Sequence, residues 1–179
     1  MGMIIDGRIS YGKSGFSGEI GHFPLLNNDR ICHCGKTGCL ETGASGSAVH
    51  QLFMERLQEG RTSMLSEKFN KGEKIHIEEI IDAVNEEDVL AIEVIEEIGA
   101  VLGRAIAGLI NLFNPELIVI GGNVAATKEY LLLPIKSAIQ KHSLNIINSD
   151  TTIKFSKLGK HAGTIGSCML SRSKLLGLI

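Results

Sequence analysis

Asn114-Pro115-Glu116-Leu117-Ile118-Val119-Ile120-Gly121-Gly122 is the stretch that decides the fold. Asn114-Pro115 ends a helix, because a proline ring disfavours helical backbone in the residue before it. Leu117 to Ile120 is too short for a helix and wholly apolar, which reads as a strand buried on both faces. Gly121-Gly122 then makes a turn at which backbone can approach a ligand. Upstream, Val89 through Phe113 sets Ile92, Ile95, Val101, Leu102, Ala105 and Leu109 at helical spacing. Gly99, Gly103 and Gly108 recur inside that run. Glycine costs helix stability, so these positions imply close backbone packing, within the domain as the simpler reading or across a subunit interface. Downstream, Tyr130 to His142 reads as a helix with Pro134 in its first turn, Thr151 to Phe155 alternates as a strand, and Ala162-Gly163-Thr164-Ile165-Gly166 opens a terminal helix. Strands alternating with helices predict an open α/β sheet.

Toward the N-terminus, Ile75 to Val84 reads as a short helix. Asn85 is the expected N-cap of the long one, with Glu86, Glu87 and Asp88 favourable in a first turn. Acidic residues from Glu78 to Glu97 are most simply a solvated face. Val49, Leu52, Phe53 and Leu57 give an amphipathic face that ends at Gly60. Residues 1 to about 47 are glycine-rich hairpin and loop. Ile4-Ile5, Asp6-Gly7 and Arg8 to Tyr11 make a strand, a tight turn and a return strand. An opening in mid-sheet predicts a fragment of a longer protein whose N-terminal part is missing.

The 179 residues suffice for one domain or two small lobes; 44% are hydrophobic and 21% charged, so a packed core is expected rather than disorder. The net charge is −2 and the basic residues are scattered, which argues against a nucleic-acid-binding module in this stretch by itself. No uncharged apolar run approaches the roughly 20 residues of a membrane helix. The first residues carry no secretory pattern, and Asp6 spoils a myristoylation pattern. A cytoplasmic protein is expected.

Cys32-His33-Cys34-Gly35-Lys36-Thr37-Gly38-Cys39 sets three of the four cysteines on one glycine-hinged loop, with His22 ten residues upstream of the first. Three thiols and an imidazole complete a tetrahedral zinc set with no position left for water, which means a structural metal. Free thiols in a reducing compartment, or a disulfide with a spare thiol, are the alternatives. His33 is expected to point away from a site closed around Cys32 and Cys34. Cys168, beside Met169 and Leu170, reads as a buried small hydrophobe. Glu19 precedes His22 by three residues and Glu41 follows Cys39 by two. Carboxylates near an imidazole suit the vicinal hydroxyls of a sugar, or they orient the metal ligands from outside. Residue chemistry alone favours the second role.

Glu19-Ile20-Gly21-His22 followed by Cys32-x-Cys34-Gly35-x-x-Gly38-Cys39-Leu40-Glu41 resembles the signature of the ROK family of bacterial sugar kinases and sugar-responsive repressors. The hairpin Ile4 to Arg8, the stretch Asn114 to Gly122, and Ala162 to Ser167 resemble it as well, so the likeness runs along nearly the whole chain. It implies an actin-like, ribonuclease-H-like α/β fold, of which residues 1–179 are the C-terminal sugar-binding and zinc lobe. It implies zinc on His22, Cys32, Cys34 and Cys39, and a hexose or amino-sugar held by Glu19, His22 and Glu41. Gly121 and Gly122 match the turn that faces adenosine in the kinases, so ATP is expected only if the full-length protein is a kinase. A homodimer is implied, and DNA contact only through an N-terminal domain outside this chain. No Asp matches the family's catalytic position, since Asp6 is a turn residue and Asp29 a loop residue; nor is a helix-turn-helix or a complete phosphate turn present. This stretch alone is expected neither to phosphorylate sugar nor to bind an operator. Leu40-Glu41-Thr42 and the tail Ser171 to Leu178 look more like repressor members. The reading is therefore the effector lobe of a repressor, with the lobe of an ATP-dependent hexose or N-acylhexosamine kinase as the alternative.

Overall fold

The computed structural model describes residues 1–177; Leu178, at the end of the repressor-like tail, lies outside them. Strands β1 (Ile4–Ile5) and β2 (Arg8–Ile9) pair antiparallel. Asp6 (φ 50°) and Gly7 (φ 74°) both turn left-handed, as a two-residue hairpin twisted to match its strands requires. The return strand is two residues, shorter than the sequence suggests. A 3₁₀ turn at Ile20–His22 and a cysteine loop lead into α1 (Glu41–Ala44), α2 (Gly46–Gln58), α3 (Ser66–Asn70), α4 (Ile77–Asn85) and α5 (Val89–Phe113). After β3 (Leu117–Ile120) come a 3₁₀ turn at Asn123–Thr127, α6 (Glu129–His142), α7 (Asn145–Asn148), β4 (Thr152–Phe155) and α8 (Ala162–Leu175).

The core forms where α2, α4, α5 and α6 turn their apolar faces inward. Val49, Leu52, Phe53 and Leu57 of α2, Ile80 and Val84 of α4, and Leu131, Ile135 and Ile139 of α6 are buried with the α5 residues Leu90, Val94, Ile95, Ile106 and Ile110. Helices α5 and α6 approach so closely because Gly99 and Gly103 lack side chains. A Cβ on Gly103 would lie 2.7 Å from both the Ala138 Cβ and the Ile135 carbonyl oxygen. One on Gly99 would lie 2.7 Å from the Pro134 ring. Those two glycines serve packing within the domain; a Cβ on Gly108 would meet nothing.

Four expectations are corrected. Asn85 is the last residue of α4, and Asp88 caps α5, its carboxylate accepting from the Ala91 N–H at 2.8 Å. The chain reverses between them at Glu87 (φ 64°), so a cap three residues earlier would not lie on the axis of α5. Pro134 stands in the second turn of α6, where its ring packs on Gly99. Strand β3 is covered on one face only. It pairs in parallel with β4, Ile118 opposite Ile153 and Ile120 opposite Phe155, and those four side chains face the helices, while Leu117 and Val119 are exposed. Among the described residues the open α/β sheet is this parallel pair plus the separate hairpin. Cys168 is exposed, because α8 buries none of its described residues. The acidic face is also partly paired: Glu79 meets Lys68, Glu93 meets Arg61 and Glu97 meets Arg56.

Candidate metal centre

The cysteine loop folds as a knuckle against the strand-like segment after His22. Isolated bridges join Pro24 to Cys39 and Ile31 to Thr37. The Leu26 N–H donates to the Gly38 carbonyl at 3.0 Å, the Leu40 N–H to Phe23 at 3.0 Å, and the Cys32 N–H to Lys36 at 2.8 Å. Gly38 (φ 77°) is required twice over, since a Cβ there would also lie 2.6 Å from the Leu26 carbonyl oxygen.

This folding brings His22, Cys32, Cys34 and Cys39 together, with one ligand atom from each lying within 4.8 Å of the other three. The Cys34 and Cys39 sulfurs are 3.6 Å apart, and His22 Nδ1 is 3.6 Å from the Cys32 sulfur. A tetrahedral zinc with metal–sulfur bonds of about 2.3 Å has edges of about 3.8 Å, so the donor set fits that metal. His33 is exposed and outside the group. Cys32 and Cys39 are buried. Burial, with Cys34 and Cys32 close by, pushes the Cys39 thiol up to about 11, whereas the Lys36 N–H holds Cys34 below its usual value. Three thiolates at this spacing repel one another, and a divalent cation among them removes that conflict.

The two carboxylates flank the outer side of the centre. Glu19 leads the 3₁₀ turn that ends at His22, and its Oε2 is 3.9 Å from His22 Nε2, the nitrogen turned away from Cys32. That separation exceeds a hydrogen bond, so the pair leaves room for a third polar atom. Glu41 opens α1, and its carboxylate lies over Gly21, where a Cβ would come 2.8 Å from Oε2. Glu19, His22 and Glu41 are all exposed.

The structure also joins what the sequence leaves apart. Glu41 lines a cleft of about 400 Å³ with Ser45, Gly46, Gly121, Gly122 and Asn123. On the other side of Gly122 a wider cavity of about 700 Å³ is lined by Glu78, Asp82, Lys128, Ser156 and Lys157. Gly122 sits at φ 93°, where a side chain would be strained; Gly121 makes only ordinary contact with Ser156. Sequence reasoning missed Asn123, Lys128 and Ser156. Lys128 carries no sequence signal, although its backbone is left-handed (φ 48°).

The ROK family's sequence pattern matches residues 1–174. The chain belongs to the ROK family. It is 35% identical to a glucokinase of Halalkalibacterium halodurans over 174 residues, covering 97% of this chain and 53% of that enzyme. It is 37% identical to the DNA-binding transcriptional dual regulator NagC of Escherichia coli K12 over 179 residues, covering 99% of this chain and 43% of that regulator. Its fold is similar to that of a ROK glucokinase from Streptomyces griseus solved with glucose and AMPPNP (TM-score 0.85, 27% identity, covering 96% of this chain and 56% of that one). The chain thus spans about half the length of the relatives it matches. Kinases and repressors both stand among its ROK relatives.

Proposed function

We propose that residues 1–179 form the sugar-binding effector lobe of a ROK transcriptional repressor. In this reading His22, Cys32, Cys34 and Cys39 hold a structural zinc, and Glu19, His22 and Glu41 hold a hexose or amino-sugar. The observation that carries it is the divided use of the His22 ring. Nδ1 faces the thiols at 3.6 Å and Nε2 faces Glu19 at 3.9 Å, so one side chain serves the metal and the outer acidic face together. A zinc with four protein ligands supplies a folding crosslink and no reactive water. The ring is thereby fixed, and Glu19 and Glu41 accept from neighbouring sugar hydroxyls while Nε2 offers one more polar contact. In a repressor, sugar bound here shifts the orientation of DNA-binding segments that precede this lobe. Such a protein works in the cytoplasm as a homodimer, and no helix among the described residues is long and apolar enough to cross a membrane.

A second reading, the lobe of an ATP-dependent hexose or N-acylhexosamine kinase, is favoured by Gly121-Gly122. That turn stands between the Glu41 cleft and the larger cavity, where a nucleotide would meet it without side-chain obstruction. Two assays on the full-length protein separate the readings. Repressor function predicts operator-DNA binding released by glucose or N-acetylglucosamine, with no sugar phosphate formed from ATP. Steady ATP-dependent phosphorylation without DNA binding would replace it by the kinase. In either case Glu41→Gln should weaken sugar binding with zinc content unchanged; loss of zinc instead would make Glu41 structural.

A further inference from the structure

Behind Glu41 lies a set of polar contacts that neither holds the metal nor faces the cleft. The Thr42 hydroxyl donates to the Cys39 carbonyl at 2.8 Å, and the Asn28 amide donates to the Thr42 hydroxyl at 3.4 Å. One Arg30 nitrogen donates to the Thr42 carbonyl at 3.5 Å, and another pairs with Glu55 on α2. Gln51 donates to the second Glu55 oxygen at 3.0 Å. Helix α1 is four residues long and has no side-chain cap, so it cannot hold its own geometry. The side-chain Oδ1 of Asn28 is buried without a donor, so the segment between His22 and Cys32 is not saturated by bonds of its own. Arg30 is its tie to α2. That helix is rigid, because Leu52 and Phe53 anchor its opposite face in the core.

We infer that Arg30, paired with Glu55, is a positioning residue for sugar binding: it fixes the first turn of α1, and through it the Glu41 carboxylate, relative to helix α2. The inference rests on the reading of Glu41 as a sugar acceptor. A long exposed carboxylate binds well only if its own backbone is held, and the guanidinium fork reaches Thr42 and Glu55 at once, which a lysine cannot do. It also gives Thr42 a task, as the residue whose hydroxyl grips the metal knuckle while its carbonyl takes Arg30.

The test is calorimetric binding of glucose and N-acetylglucosamine to the full-length protein, with zinc content measured beside it. Arg30→Met and Glu55→Gln should each weaken binding about tenfold at unchanged metal content. Arg30→Lys, which can pair with Glu55 but cannot also reach the Thr42 carbonyl, should recover only part of the loss. In a Glu41→Gln background Arg30→Met should cost nothing further, since it acts through Glu41. Unchanged sugar affinity in Arg30→Met and Glu55→Gln beside an impaired Glu41→Gln overturns this inference alone. So does loss of zinc from Arg30→Met, or an additive loss in the Glu41→Gln background. A wild-type protein that takes neither sugar, or a Glu41→Gln variant that binds like wild type, brings down the sugar-site reading and this inference with it.

Discussion

The knuckle between Glu19 and Glu41 and the helical core between Gly46 and His142 are held together in opposite ways. The core is area: Phe53, Ile80, Ile95, Ile110 and Ile135 are each fully buried, and α5 runs 25 residues with its apolar stripe covered. The knuckle has isolated bridges, a single 3₁₀ turn, and four buried residues, Cys32, Gly38, Cys39 and Leu40. It depends on four ligand atoms meeting at a point. A core of that kind tolerates loss in proportion to the atoms removed, whereas a point-held loop fails at once. In the proposed reading, the sugar contacts stand where point contacts, the metal ligands and the Arg30–Glu55 pair, give the rigidity that buried area gives the core.

The largest expected effect is therefore on the knuckle. Stripping the metal, or Cys39→Ser, should abolish protection of the amides from Ile20 to Leu40 in hydrogen exchange, because metal binding is the folding energy of so small a unit. Far-UV circular dichroism should keep its helical signal. A loss of helix in step with the metal would erase the distinction between the regions.

Next in size is the core. Phe53→Ala should cost about 3–5 kcal/mol in chemical denaturation while leaving zinc stoichiometry intact. Gly103→Ala should cost about 1–3 kcal/mol, since the new methyl meets the Ala138 Cβ and the Ile135 carbonyl and overpacks the α5–α6 contact despite a better helix propensity. Gly108→Ala, facing open space, should be neutral or slightly stabilising. Equal effects at the two glycines would refute the close-approach account. The smallest effect concerns Lys68 and Glu79. Lys68 and the His76 N–H hold the Glu79 carboxyl below its usual 4.5, so the contribution is present above that pH and lost as pH falls through the lowered value. Lys68→Met should lower the denaturation midpoint slightly at neutral pH and leave it unchanged in acid.

The sequence and the structure agree best where one local rule acts alone. Helix α5 was legible from its period and its end at Phe113, and the convergence of His22, Cys32, Cys34 and Cys39 was legible because residue type and spacing suffice. The cap of α5 was misread because Asn85 and Asp88 both suit an N-cap, and only the reversal at Glu87 decides between them. Leu117-Ile118-Val119-Ile120 looked doubly buried because composition reports apolarity and says nothing of which faces have neighbours. The exposure of Cys168 was hidden for the same reason. The meeting of Glu41 with Gly121 and Gly122 spans about 80 residues of chain and belongs to tertiary structure, as does the reach of Arg30 to Glu55.

The most direct test of the central claim, a sugar site made rigid by the metal beside it, is a binding titration of glucose and N-acetylglucosamine on one sample of the full-length protein: as purified, after chelation, and after zinc is returned. Binding should vanish on chelation and come back with zinc while helical content stays constant throughout. Sugar affinity that survives removal of the metal would contradict the account.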